Sequence, residues 1–149
     1  MILKTPASGS SGYSGKCGLF DLSDGKQVID FRYDDITLLG FNRALGKDGS
    51  RRYLLDTSTG DVIASLPPNI GAAHFNETPV TWIFRAKSYY GIIDEEGNIL
   101  YEDAKDPLTG VTKFRHGFSG GQKDNKKWGI LKSDGTWLVH PTYDYIKLL

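Results

Sequence analysis

Four stretches of the chain spell nearly the same β-hairpin, and a chain that repeats one small unit buries its apolar residues only by packing units against each other. The stretches are Gly15-Lys16-Cys17-Gly18-Leu19-Phe20-Asp21 closing at Gly25, Arg52-Tyr53-Leu54-Leu55-Asp56 closing at Gly60, Tyr90-Gly91-Ile92-Ile93-Asp94 closing at Gly97, and Trp128-Gly129-Ile130-Leu131-Lys132 closing at Gly135. Equivalent positions fall at 18, 53, 91 and 129, in steps of 35, 38 and 38 residues. In each copy an apolar pair ends one strand, a polar turn closes on a glycine that takes positive φ without steric cost, and a second apolar run comes next. The short connections suit hairpin loops.

The flanks repeat as well. Tyr33-Asp34-Asp35-Ile36 and Tyr143-Asp144-Tyr145-Ile146 both begin eight residues after their turn glycine. Phe41, Phe75 and Phe114 each open the strand leading into the next hairpin, on this reading. One unit is then three strands: the run after phenylalanine, the run into aspartate, and the run after the turn glycine. No window carries the i, i+3, i+4, i+7 apolar pattern of a helix. A single helical turn is predicted over residues 101–106, before Pro107. The expected fold is all-β: about four three-stranded hairpin or meander repeats forming an open β-solenoid-like or small propeller-like array. It makes a single domain over 1–149, with units roughly at 13–40, 41–74, 75–113 and 114–149. Closing that array would need Met1-Ile2-Leu3 or the Tyr13 region to pair with the last unit.

Composition agrees. Eighteen glycines in 149 residues imply many tight turns and so many short elements. Eighteen basic residues cancel eighteen acidic ones, which argues against general nucleic-acid binding through phosphates. The densest cationic run, Lys123 to Lys127, reads as a solvated loop between strands. The single cysteine, Cys17, excludes an internal disulfide and suits a reducing compartment. With no leader-like h-region after Met1 and no apolar run long enough to span a bilayer, no membrane insertion and a cytoplasmic location are expected.

Lys127-Trp128-Gly129-Ile130-Leu131 and His140-Pro141-Thr142-Tyr143-Asp144 resemble the WG-repeat family, also called KWG repeats. Its pattern runs Lys-Trp-Gly, an apolar pair, Asp, a turn ending in Gly, an apolar pair, Pro, then Tyr-Asp. The resemblance covers residues 15 to 149 with unequal copies. Cys17, Arg52 and Tyr90 stand in the tryptophan position, and Tyr53 replaces the second glycine. Pro67-Pro68-Asn69 and Asp106-Pro107-Leu108 lie where Tyr-Asp is missing. The resemblance implies a bacterial β-repeat module used for interactions, without common catalytic residues.

Candidate chemistry is sparse. Asp21, Asp56 and Asp94 recur at one place, as calcium-binding carboxylates would, but recurrence at a turn is what local backbone capping also predicts. His74, His116 and His140 sit at different places in the repeat and form no zinc spacing. Gly9-Ser10-Ser11-Gly12 and Gly117-Phe118-Ser119-Gly120-Gly121 lack the strand-to-helix context of a nucleophile elbow or phosphate loop. Cys17 reads as a small buried hydrophobe. The chain is therefore read as a non-enzyme without metal or cofactor. It is expected to bind another protein, for example as an immunity-type inhibitor of a toxin with a basic face. The candidate contact residues are Tyr33, Asp34, Asp35, Trp82, Tyr89, Tyr143, Asp144 and Tyr145. The alternative is a carbohydrate- or cell-surface-binding module in which Trp82 and Trp137 stack on sugars. Erosion of the middle copies also points to a non-repetitive binding face around residues 50 to 90.

Overall fold

In a computed structural model, which describes residues 1–5, 15–75 and 78–147, each repeated hairpin forms where its turn chemistry places it. Asp21, Asp56 and Asp94 each accept a backbone N–H two residues on, from Ser23, Ser58 and Glu96 at 2.8–2.9 Å. In the fourth copy Lys132 replaces the aspartate, and Asp134 caps Thr136 instead. The closing glycines Gly25, Gly60, Gly97 and Gly135 all have φ between +72° and +85°. Local capping thus accounts for the aspartate row.

The described chain is all-β: fifteen strands in four antiparallel sheets, and no helix. It forms two compact units, 1–69 and 70–149. In the first unit, β1 (Ile2–Lys4), β2 (Cys17–Asp21) and β3 (Lys26–Tyr33) make one sheet. β4 (Asp35–Gly40), β5 (Arg43–Asp48), β6 (Arg51–Asp56) and β7 (Val62–Leu66) make the next. In the second unit, β8 (Gly71–Ala72), β9 (Val80–Arg85), β10 (Ser88–Asp94) and β11 (Ile99–Glu102) form one meander. β12 (Gly110–Val111), β13 (Phe118–Gln122), β14 (Trp128–Lys132) and β15 (Trp137–Tyr143) form the other. None of the four sheets closes into a barrel. Met1-Ile2-Leu3 is used within the first sheet, with Ile2 opposite Leu19. Tyr13 and Gly9–Gly12 lie outside the described residues.

Three expectations are corrected. Three sheets have four strands, because the segment after each Tyr-Asp position supplies a first strand (β4, β8 or β12) to the next sheet. The phenylalanines do not open strands. Phe41 shares a two-residue hairpin turn with Asn42, at φ of 52° and 55°, as the twist of a tight hairpin demands. Phe75 and Phe114 are buried ahead of β9 and β13. Residues 101–106 are not helical: β11 ends at Glu102, and Asp103 then closes a bend by accepting the Asp106 N–H at 3.0 Å.

Each unit has its own core. In the first, Cys17, Leu19, Ile29, Tyr33, Ile36 and Leu55 pack between the two sheets. In the second, Val80, Trp82, Ile92, Leu108, Phe114 and Leu131 do the same. One position carries a small residue in every four-stranded sheet: Ala44 opposite Leu55, Thr81 opposite Ile93, and Ser119 opposite Leu131. The hydroxyls appear where the first strand is short. β4 continues its ladder to Ala44, whereas β8 and β12 stop after two residues. Thr81 then donates to the Ala73 carbonyl at 2.8 Å, and Ser119 to the Thr112 carbonyl at 2.8 Å. Each hydroxyl satisfies an acceptor that the truncated ladder leaves behind. Ser119 also accepts the indole N–H of Trp82 at 3.0 Å, and Trp82 stacks on Phe114 at 5.5 Å between ring centroids.

The buried hydroxyl and the turn aspartates should each contribute to stability. Ser119→Ala strands the buried Trp82 N–H and should cost about 1–3 kcal/mol in urea unfolding, with a smaller penalty when made in a Trp82→Phe background. Asp56 is held below the usual carboxylate range, chiefly by the Ser58 hydroxyl and then by the Ser58 N–H. A carboxyl lowered by folding adds stability that is present above its unfolded pKa and lost as pH falls through its folded one. Unfolding monitored from pH 7 downward should therefore show Asp56→Asn losing less stability than the parent below about pH 4.

Candidate functional site

The sequence signals converge on the far end of each hairpin, where Lys-Trp-Gly faces the Tyr-Asp flank. In the first unit Cys17 pairs with Tyr33 and Leu19 with Ile29, so the single residue Gly18 faces the bulged stretch Asp30-Phe31-Arg32. In the last sheet Trp128 pairs with Tyr143 and Ile130 with Val139, so Gly129 faces His140-Pro141-Thr142. A Cβ on Gly18 would lie 2.8 Å from the Ile29 carbonyl oxygen, and one on Gly129 would lie 2.3 Å from that of Val139. The repeat glycine is thus a seat for the partner strand's backbone. Pro141 fits because β15 is an edge strand and a bulge needs no ladder N–H there.

The bulge sets the register of the residues beyond it. Lys16 lies one residue before the Cys17–Tyr33 pair and Asp34 one residue after it, and their side chains meet at 2.5 Å. Lys127 and Asp144 occupy the same places around Trp128–Tyr143 and also form an ion pair. Asp34 accepts the Gly49 N–H as well, at 2.7 Å, and the Lys16 ammonium and that N–H hold its carboxyl below the usual range. Asp35 is exposed and lies 3.7 Å from Lys47. Elsewhere in the cationic loop, Lys123 pairs with Asp106 at 2.7 Å.

The candidate contact residues separate into core and surface. Tyr33 is 2% exposed; its ring lies over Gly46 and meets Tyr53 edge-on at 6.1 Å, so it holds β3 to the next sheet. Trp82 is also 2% exposed and internally hydrogen-bonded, so it is a core side chain and offers no platform for a sugar. Tyr89 is half-buried against Phe84, with centroids 5.5 Å apart. Trp137 is half-buried against the second core. Tyr143, at the end of β15, and Tyr145 just beyond it are, by contrast, 55% and 76% exposed, and Leu138 on β15 is 51% exposed. Asp144 stands between the two tyrosines with its side chain largely in solvent. Cys17 is buried in the first core, with its thiol 3.7 Å from the Asp34 carbonyl. His74, His116 and His140 are exposed at separate places in the fold.

A second feature lies where the repeat is eroded. A cavity of about 360 Å³ in the first unit is lined by Arg51, Arg52, Tyr53, Ser65, Leu66 and Pro68. Arg52 donates through Nη1 to the carbonyls of Gly49 at 2.8 Å and Arg51 at 3.0 Å. Neither arginine is among the contact residues expected from the sequence, although both fall in the stretch where a non-repetitive face is expected. The readable signal is Arg51 at the lysine position of the repeat, with Pro67-Pro68-Asn69 where Tyr-Asp is missing.

With that geometry in place, comparison with known proteins is informative. The chain is similar to the computationally designed Ika8 protein at 11% identity, covering 83% of this chain and 42% of that one, with a TM-score of 0.53. It is also similar to BamB from Moraxella catarrhalis at 16% identity, covering 83% of this chain and 36% of that one, with a TM-score of 0.45. The chain spans less than half the length of either structure, and at these identities the first likeness speaks for the fold alone. No curated protein matches the sequence. The family model of the WG containing repeat matches residues 128–148, the copy that keeps Trp-Gly intact. The chain thus carries one WG containing repeat that is matched outright, at 128–148, and three earlier sheets that each contain a hairpin of similar local pattern.

Proposed function

We propose that this protein is a non-catalytic, protein-binding β-repeat module that engages a partner with a basic face through the end of β15. The observation that carries the reading is the exposure of Tyr143 and Tyr145, 55% and 76%, on either side of Asp144. Large amphipathic rings left in water beside a carboxylate are the residue types that anchor protein interfaces. The other candidate groups already have internal work: the turn aspartates cap their own hairpins, and Tyr33 and Trp82 fill cores.

In its finer form the module is a bacterial, cytoplasmic, immunity-type inhibitor, and the basic partner is a toxin. Zero net formal charge supports that form. A carbohydrate-binding reading loses Trp82 as a stacking platform and is left with the half-buried Trp137 and the exposed Tyr143 and Tyr145.

The test is surface plasmon resonance against the product of the neighbouring gene. The parent protein should form a saturable complex. Tyr143→Ser/Tyr145→Ser, with unchanged circular dichroism and melting temperature, should bind at least about tenfold more weakly. No complex, or equal binding by the double variant, overturns the proposal. Glycan-array binding that depends on Tyr145 would replace it with the carbohydrate reading.

A further inference from the structure

In the first and last copies a cation before the final ladder pair meets an aspartate just after it, Lys16 with Asp34 and Lys127 with Asp144. The second copy keeps the cation and lacks the acid. Arg52 pairs with Leu66 across β6 and β7, so the residue before the pair is Arg51 and the residue after it is Pro67. Asp48 is the cross-strand neighbour of Arg51 at the β5–β6 turn, and no ion pair joins the two among the described residues. The cavity of about 360 Å³ opens at this altered corner.

We propose that this cavity binds a carboxylate side chain of an acidic peptide, with the ligand supplying from outside the charge that Asp34 and Asp144 supply within their own copies. The lining fits that chemistry. Arg51 is exposed, and a guanidinium presents a planar fork of donors that matches a carboxylate at two points. Arg52 is anchored on two backbone carbonyls, so a second positive charge stands in the wall without being ordered by the ligand. Tyr53 and Ser65 add hydroxyl-bearing side chains, and Leu66 and Pro68 give an apolar wall for the residue beside the acid. Among the described residues, no acidic one lines the cavity. Its volume lies near the lower end of about 300–1,000 Å³ for ligand sites, the size for one side chain and part of its neighbour. The site shares no residue with the β15 surface and stands or falls independently of it.

The experiment is an ¹⁵N–¹H correlation titration of the full chain with acetyl-Leu-Glu-Leu-amide, its glutamine counterpart, and inorganic phosphate. Saturable shifts are expected at the amides of Arg51, Arg52, Tyr53, Ser65 and Leu66 with the glutamate peptide. Binding should weaken at least about tenfold for the glutamine peptide and for Arg51→Gln, whose remaining spectrum should match the parent. Pro67→Asp restores the internal acid and should abolish binding. If that variant does not fold, Arg51→Gln still decides the matter. Absence of saturable shifts, equal binding of the glutamine peptide, undiminished binding by Arg51→Gln or a folded Pro67→Asp, or phosphate binding as tight as the glutamate peptide each overturns the proposal.

Discussion

The contact on which the repeat depends is a backbone carbonyl of one strand lying where its partner's residue has no side chain. At Gly129 a Cβ would sit 2.3 Å from the Val139 oxygen, and at Gly18 it would sit 2.8 Å from the Ile29 oxygen. That approach lets one residue face three, which bends the outer strand and returns the chain to register at Tyr33 or Tyr143. Only then do the flanking lysine and aspartate fall side by side. The Lys-Trp-Gly and Tyr-Asp signatures are thus two ends of one device. The second copy supports this account through its exception. Tyr53 stands where the glycine should be, and there β6 and β7 keep regular pairing through Arg52–Leu66, Tyr53–Ser65 and Leu54–Ala64. Without the bulge a side chain fits, and the Tyr-Asp corner is absent as well.

The hairpins are legible in the sequence because their determinants are local. An aspartate capping two residues ahead and a glycine at positive φ can be read from a few consecutive letters, and so can the apolar pairs. Other features are not legible. The Lys–Asp pairs join residues 18 and 17 positions apart, and their meeting requires a bulge that the alternation of apolar residues does not reveal. The two Tyr-Asp motifs read identically, yet Tyr33 is covered by the next sheet while Tyr143 is exposed, a difference of tertiary cover alone. Trp82 reads as one of a crowd of aromatics, and its internal role rests on a serine 37 residues away that stands in for a missing ladder bond. The first strands of the later sheets escape notice for a related reason: β8 and β12 have two residues each and carry no periodicity.

The same physics separates scaffold from recognition. Positions that obey the repeat are consumed by turns, bulges and cores, so they have little left to offer a ligand. Both proposed contacts fall where a repeat position is kept but its cover or partner is changed: Tyr143 without cover, and Arg51 without its aspartate. The altered corner of the second copy keeps the cation and lacks both the bulge and the acid, so the chemistry of the repeat is left unfinished there.

The central claim is that the repeat glycines are held by close backbone approach. Replacing glycine with alanine where the backbone is unstrained usually stabilises a protein by about 0.4–1 kcal/mol, so the expected sign is opposite to the default. Urea unfolding of Gly91→Ala, Gly18→Ala and Gly129→Ala tests this directly, since a Cβ would meet a backbone oxygen at 3.0, 2.8 and 2.3 Å in turn. The account predicts destabilisation that rises in that order, reaching about 1–3 kcal/mol or more at Gly129. A neutral or stabilising Gly129→Ala, or one milder than Gly91→Ala, would contradict it.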